Sequence, residues 1–151
     1  MISDFASSNK NFHAISLRYF NPIGADIKAG LKDNPLEQSQ NIMPILTKSI
    51  KEKKIFKIFG GDYQTKDGTC VRDYIHIKDL AKAHVLAFRK LKEVNGHKVI
   101  NLGLGKGASV LEILKLFKKI NKVVVNYKFV KRRKGDVGIS YADNKKAITF
   151  L

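Results

Sequence analysis

The sequence predicts an α/β fold, and three features carry that prediction. Short strand-like runs alternate with segments of helical apolar spacing, two helix starts carry capping signals, and glycines punctuate the joints. HAISLRYF (13–20) mixes apolar and aromatic residues and ends at Asn21-Pro22 and Gly24, so it reads as a strand. Residues 26–40 are polar and loop-like. Pro44 suits a first helical turn, and Ile45, Leu46 and Ile50 carry that helix to a Lys-rich end at 51–54 that complements its dipole. IFKIF (55–59) reads as a strand closed by Gly60-Gly61, and DYQTKDG (62–68) as a turn-rich loop. CVRDYIHI (70–77) alternates, with Val71, Asp73, Ile75 and Ile77 on one face and Arg72, Tyr74 and His76 on the other. Asp79 is the expected N-cap of a helix bearing Leu80, Ala83, Ala87, Phe88 and Leu91, with Gly96 as its stop. KVINLG (98–103) is a strand. Ser109 and Glu112 form a capping box that opens the helix VLEILKLFKKI. VVVNYKFV (123–130) is the last strand, before the basic turn KRRKGD. Four or five short strands with only three helices look like part of a wrapped sheet.

Composition narrows the function classes. At 151 residues and 17.0 kDa, with 44% hydrophobic and 28% charged residues, the chain has the make-up of one folded segment. A single cysteine, Cys70, excludes an intramolecular disulfide framework and fits a reducing compartment. No apolar run approaches the roughly 18 residues of a membrane span, and the first residues show no signal-peptide pattern. The expectation is a cytoplasmic protein with no membrane partner. The net charge of +16 is uneven: residues 1–75 carry 11 cations and 8 anions, residues 76–151 carry 18 and 5. Only five of the 29 cations are Arg, whereas recognition of phosphate and base edges favours Arg forks. A solvated basic face is therefore preferred to a nucleic-acid site.

Several motifs compete for the chemistry. Gly103-Leu-Gly105-Lys-Gly107-Ala108 fits G-x-G-x-x-A between a strand and a helix. No acid lies between Glu112 and Asp136 to hold a ribose, so a strand-to-helix turn is preferred to a dinucleotide site. Asp73, His76 and Asp79 cluster in sequence, but strand alternation sends Asp73 and His76 to opposite faces, against a metal site. Cys70 is expected to be an inert, half-buried thiol, and His13, His84 and His97 surface or packing residues. Arg72, alternating with Tyr74, has the form of an anion grip with an aromatic wall. Arg132-Arg133 before Gly135-Asp136 could add a second guanidinium and an acceptor for a ribose hydroxyl. Together these point to a phosphate-containing ligand.

LRYFNPIGA (17–25), QNIMP (40–44), IFGGDYQTKDGTCVRDYIHIKDLAKAH (58–84), NLGLGKGASVLEI (101–113) and RRKGDVGISYAD (132–143) follow one another as in the UDP-glucose 4-epimerases. By these motifs the chain resembles that family, part of the extended short-chain dehydrogenase/reductase group, from about residue 13 to 147. Pieces of the RDYIH segment also occur in related nucleotide-sugar enzymes. The resemblance implies a Rossmann-type fold with a UDP-hexose substrate and NAD as cofactor. It also implies interconversion of UDP-glucose and UDP-galactose, in galactose metabolism, with a hydride taken from the sugar and returned to its other face. Carried over by position, it puts Phe20 and Pro22 near the nicotinamide and Asn21 on the UDP moiety. Asn41 and Ile42 match a backbone grip on the diphosphate, and Phe59 with strand 56–58 matches the uracil pocket. Arg72 and Arg133 match the diphosphate cations, Tyr74 and Val110 line the same site, and Asp136 matches a ribose-hydroxyl acceptor.

What the motifs omit shapes the expectation. No three glycines have the spacing G-x-x-G-x-x-G. Tyr-x-x-x-Lys occurs as Tyr74…Lys78, Tyr127…Lys131 and Tyr141…Lys145, where strands or loops are expected and not the helix that brings i and i+4 together. The expectation is a C-terminal portion only: residues 1–151 as one segment, the substrate-binding half with the last strands of the Rossmann sheet. On this reading the NAD-binding half and the family's C-terminal helix are absent, no catalytic residue is present, and a separately encoded N-terminal half is a candidate partner. A non-catalytic UDP-sugar-binding remnant and a related nucleotide-sugar epimerase are the nearer alternatives, a basic nucleic-acid-binding protein the more distant one.

Overall fold

A computed structural model describes residues 1–26, 28–31 and 41–151. Most of the expected loop at 26–40, and Gln40 of the QNIMP segment, lie outside the described residues.

A helix not expected from the sequence, α1 (Ile2–Ser8), precedes strand β1 (Ala14–Tyr19). After Phe20 the chain forms a second strand, β2 (Asn21–Ile23), in place of the turn that Asn-Pro suggested. Then come α2 (Ile42–Lys51) and β3 (Phe56–Phe59). The single strand expected at 70–77 is divided at Asp73 into β4 (Val71–Arg72) and β5 (Tyr74–His76), which join different sheets. Helix α3 (Ile77–Arg89) follows β5 directly, so its N-cap is His76, whose Nδ1 accepts from the Lys78 N–H at 3.2 Å. The expected cap, Asp79, instead lies in the first turn, where a carboxylate still complements the dipole. β6 (His97–Leu102), β7 (Ala108–Ser109) and α4 (Val110–Asn121) come next. The expected strand at 123–130 narrows to β8 (Tyr127–Val130), and β9 (Ile139–Ser140) and α5 (Lys145–Phe150) complete the described chain.

Among the described residues these strands form four small sheets. β1 pairs in parallel with β6 from Ala14↔His97 to Tyr19↔Leu102, β2 with β5, and β3 with β8. β4 lies between β7, antiparallel, and β9, parallel. Parallel pairs need long crossovers; the one from β2 to β5 contains α2, and those from β3 to β8 and from β4 to β9 contain α3 and α4. One core packs Leu46 of α2 and Leu114 of α4 against Phe56, Ile58 and Val125. The other packs Ile75, Ile100 and Leu102 with Leu80 and Ala83 of α3 and Phe150 of α5. Phe88, one of the apolar residues of α3, is 78% exposed. No helix among the described residues is long and apolar enough to cross a membrane.

The 62–69 loop is fastened to the start of α4. The Ser109 Oγ accepts from the Glu112 N–H at 3.0 Å, and a Glu112 carboxylate oxygen accepts from the Ser109 N–H at 2.8 Å, completing the capping box. The same Ser109 hydroxyl donates to Asp67, whose other oxygen accepts from the hydroxyl and N–H of fully buried Thr69. Burial disfavours the Asp67 carboxylate, but the bonds from Ser109 and Thr69 outweigh it and hold its pKa below the usual value. Gly68, at φ +80, places its α-carbon where a Cβ would come within 2.3 Å of the Gly61 carbonyl oxygen, so only glycine closes this turn. Ser109→Ala removes both the cap and the tether and is expected to cost about 1–2 kcal/mol. A urea titration unchanged in midpoint would contradict it.

Candidate functional site

Strand alternation builds the site from the 70–74 segment. Cys70, Arg72 and Tyr74 fall on one side and line a cleft of about 180 Å³, while Asp73 turns away and is fully buried. The Asp73 carboxylate accepts from the N–H groups of Leu104 at 2.8 Å, Gly105 at 3.0 Å and Ala142 at 3.1 Å. Its backbone joins too: the Asp73 N–H donates to Ser140 and its carbonyl accepts from the Asn21 N–H. One residue thus holds together the β2 strand, the glycine loop after β6 and the segment before α5.

Beside the strand, Arg133 and Asp136 of the 131–138 segment form another part of the wall. Arg72 Nη1 donates to the Val137 carbonyl at 2.8 Å and to that of Val71 at 2.9 Å, and Nη2 pairs with Asp136 Oδ1 at 3.4 Å. The Arg133 guanidinium stacks on the Phe59 ring at 4.0 Å. Among the described residues it has no carboxylate partner, so its charge remains available to an anion. Burial pushes the Tyr74 phenol up to about 12, which keeps it protonated and uncharged beside that cationic wall.

The nine residues expected to contact substrate come together: Asn21, Asn41, Ile42, Phe59, Arg72, Tyr74, Val110, Arg133 and Asp136 all line this cleft. Pro22, expected near the nicotinamide, lines it as well. Phe20 is outside the lining, at the β1–β2 junction, where its N–H donates to Leu102. Cys70 is buried at 6% exposure and lines the cleft, where a half-buried, inert position was expected. Its two-residue spacing from Arg72 was the signal that could have placed it there. Ile23, inside the LRYFNPIGA segment, and Ile45, one of the apolar residues of α2, also line the cleft, though the sequence singles out neither as a site residue.

The literal Tyr-x-x-x-Lys matches are spread over unlike elements. Tyr74 is on β5 and Lys78 on α3, where it pairs with Asp26 at 3.1 Å. Tyr127 is on β8 and packs edge-on against Phe129, and Tyr141 precedes α5. None of the three pairs shares one helix.

The sequence profile of the NAD dependent epimerase/dehydratase family matches residues 1–103. The chain belongs to this family. It is 44% identical over 152 residues to UDP-glucose 4-epimerase of Bos taurus, covering 100% of this chain and 44% of that protein. It is 40% identical over 148 residues to that of Bacillus subtilis, covering 97% of this chain. The α/β fold matches that of UDP-glucose 4-epimerase from Bifidobacterium longum in complex with NAD+ and UDP. That match has a TM-score of 0.90 and 39% identity, over 98% of this chain and 44% of the other. The enzyme from Stenotrophomonas maltophila, with bound NAD and formylated UDP-arabinopyranose, matches with a TM-score of 0.91 and 40% identity, again over 44% of its length. The chain thus spans less than half the length of these relatives.

The dinucleotide in the family's name does not fit the glycine loop of this chain. The Leu104 and Gly105 N–H groups that a pyrophosphate would require already point at Asp73. A Cβ on Gly103 would come within 2.5 Å of the Asp73 carboxylate, so that glycine serves a protein carboxylate.

Proposed function

We propose that this chain supplies the UDP-sugar-binding side of a nucleotide-sugar epimerase that interconverts UDP-glucose and UDP-galactose. The observation that carries the reading is the Arg133 guanidinium, without a carboxylate partner among the described residues, in a cleft that also holds Phe59, Arg72 and Asp136. Such a cleft suits a nucleoside diphosphate. A planar base takes an aromatic wall at Phe59, the diphosphate takes the two guanidinium groups, and a ribose hydroxyl donates to the Asp136 carboxylate. Residues 1–151 then act as one substrate-binding segment with the last strands of the Rossmann sheet, β1 and β6. Phe20 and Pro22 mark the side on which the nicotinamide of NAD approaches. The chain's own residues bind and orient; no catalytic acid or base is assigned among them, and turnover on this reading requires the family's NAD-binding half.

The test is calorimetry of the 151-residue chain with UDP, UDP-glucose and uridine. Saturable heat is expected with UDP and UDP-glucose, and weaker binding with uridine, which brings no charge to Arg72 and Arg133. A folded sample giving no heat beyond dilution with UDP overturns the reading. Equal affinity for UDP and uridine would remove the diphosphate from it.

A further inference from the structure

Arg132, the neighbour of Arg133, faces the other way. Its Nε donates to Asp62 Oδ1 at 2.8 Å and its Nη2 to the Asp62 carbonyl at 2.7 Å. The same guanidinium lies over the Tyr63 ring at 4.1 Å. Tyr63 is only 8% exposed and fills the space between two glycines. A Cβ on Gly60 would come within 2.3 Å of its Cε2, and one on Gly138 within 3.4 Å of its Cδ1. The ring therefore wedges the turn after Phe59 against the end of the 131–138 segment. Within that segment the Asp136 N–H donates to the Arg133 carbonyl at 3.2 Å, so the two cleft residues share one turn. Arg72 fastens the far end of the segment through Val137, and Arg132 fastens the near end.

We propose that Asp62, Tyr63 and Arg132 form a latch that positions Arg133 and Asp136 against the nucleotide diphosphate and ribose; this rests on the nucleotide reading above. The three are positioning residues, since none of them lines the cleft. Adjacent Arg residues then divide the work: one grips the protein and the next is presented to the ligand. The hydrogen bond from Arg132 holds the Asp62 carboxyl below the usual aspartate range. The latch is therefore closed at neutral pH and opens only as pH falls through that depressed value. As a surface ion pair, with side chains 47% and 74% exposed, it adds little to global stability. Its effect is expected on the geometry of one segment.

The experiment compares the unaltered chain with Asp62→Ala, Arg132→Ala and Arg132→Lys by amide hydrogen exchange and by calorimetry with UDP. Both alanine variants are expected to keep the melting temperature, to exchange faster across 131–138, and to bind UDP about fivefold more weakly. Arg132→Lys, which keeps the charge but not the fork, should recover part of each effect. Combining the two alanine changes should add little, because each already opens the same latch. Unchanged exchange in both alanine variants overturns the latch. Faster exchange with unaltered UDP affinity overturns the positioning role, and weaker UDP binding without faster exchange overturns it in favour of direct contact. If the unaltered chain does not bind UDP, the nucleotide reading fails and the positioning role fails with it. Exchange then still reports whether the latch holds the segment.

Discussion

Asp73→Ala is expected to lower the melting temperature of the chain by roughly 10 °C, the largest stability effect of any single change at the site. The side chain is fully buried and its carboxylate accepts three N–H bonds, from Leu104, Gly105 and Ala142. Losing an acceptor from a buried donor costs about 1–3 kcal/mol, and bonds to a charged group are at the upper end. The Leu104 and Gly105 amides are only part-buried, which lowers their share, so the sum is on the order of 3–4 kcal/mol. At ~3 °C per kcal/mol for a chain of this size, that is the shift given above. Asp73→Asn is the sharper variant. It keeps the volume but turns an NH2 group toward N–H donors, so it is expected to lose nearly as much. Thermal unfolding followed by circular dichroism checks both, and a shift below about 2 °C for either would show that the carboxylate is not the hub. The consequence reaches the cleft, because Arg72 and Tyr74 flank Asp73 on the same segment.

The role of Asp73 illustrates what sequence alone conceals. Its donors lie 31, 32 and 69 residues away along the chain, so no local spacing announces them. Strand alternation correctly sets it opposite Arg72 and Tyr74 and argues against a metal site, but it does not say what an inward-facing acid is for. Among the described residues no cluster of His, Cys, Asp and Glu could hold a metal. The glycine loop lacks the following acid of a dinucleotide site, but G-x-G-x-x-A alone describes a backbone that lets an anion approach, without saying that the anion is the Asp73 side chain. Local signals read well. The Ser109–Glu112 capping box is present as expected, because both partners lie within one turn. The cap expected at Asp79 lies at His76 because β5 passes into α3 without a loop, which moves the helix start three residues back. α1 and α5, at 7 and 6 residues, are too short to show a periodic apolar face. The cleft is legible largely because its charged and aromatic members fall in compact motifs. Ile23 and Ile45, which add to its apolar surface, show in the sequence only as apolar residues of a strand end and a helix, with nothing to mark them as part of a site.

Arg133→Ala is expected to weaken UDP binding about 30- to 100-fold, corresponding to about 2–3 kcal/mol for charge-assisted bonds to phosphate. Uridine affinity and melting temperature should barely change. The selectivity follows from the contacts of this side chain: it stacks on Phe59 and, among the described residues, pairs with no carboxylate. Removing it therefore leaves no buried partner behind. Arg72→Ala makes the useful contrast. Arg72 also bonds the Val137 carbonyl and pairs with Asp136, so its loss should release the 131–138 wall as well as the phosphate. UDP and uridine binding should then fall together, with a measurable loss of stability. Arg133→Lys separates charge from shape, since an ammonium keeps the attraction to phosphate but not the planar stack or the bidentate fork. Its UDP affinity should lie between that of the unaltered chain and that of the Arg133→Ala variant. If Arg133→Ala weakens uridine as much as UDP, this guanidinium serves the aromatic wall and not the diphosphate, and Arg72 would be left as the principal phosphate cation of the cleft.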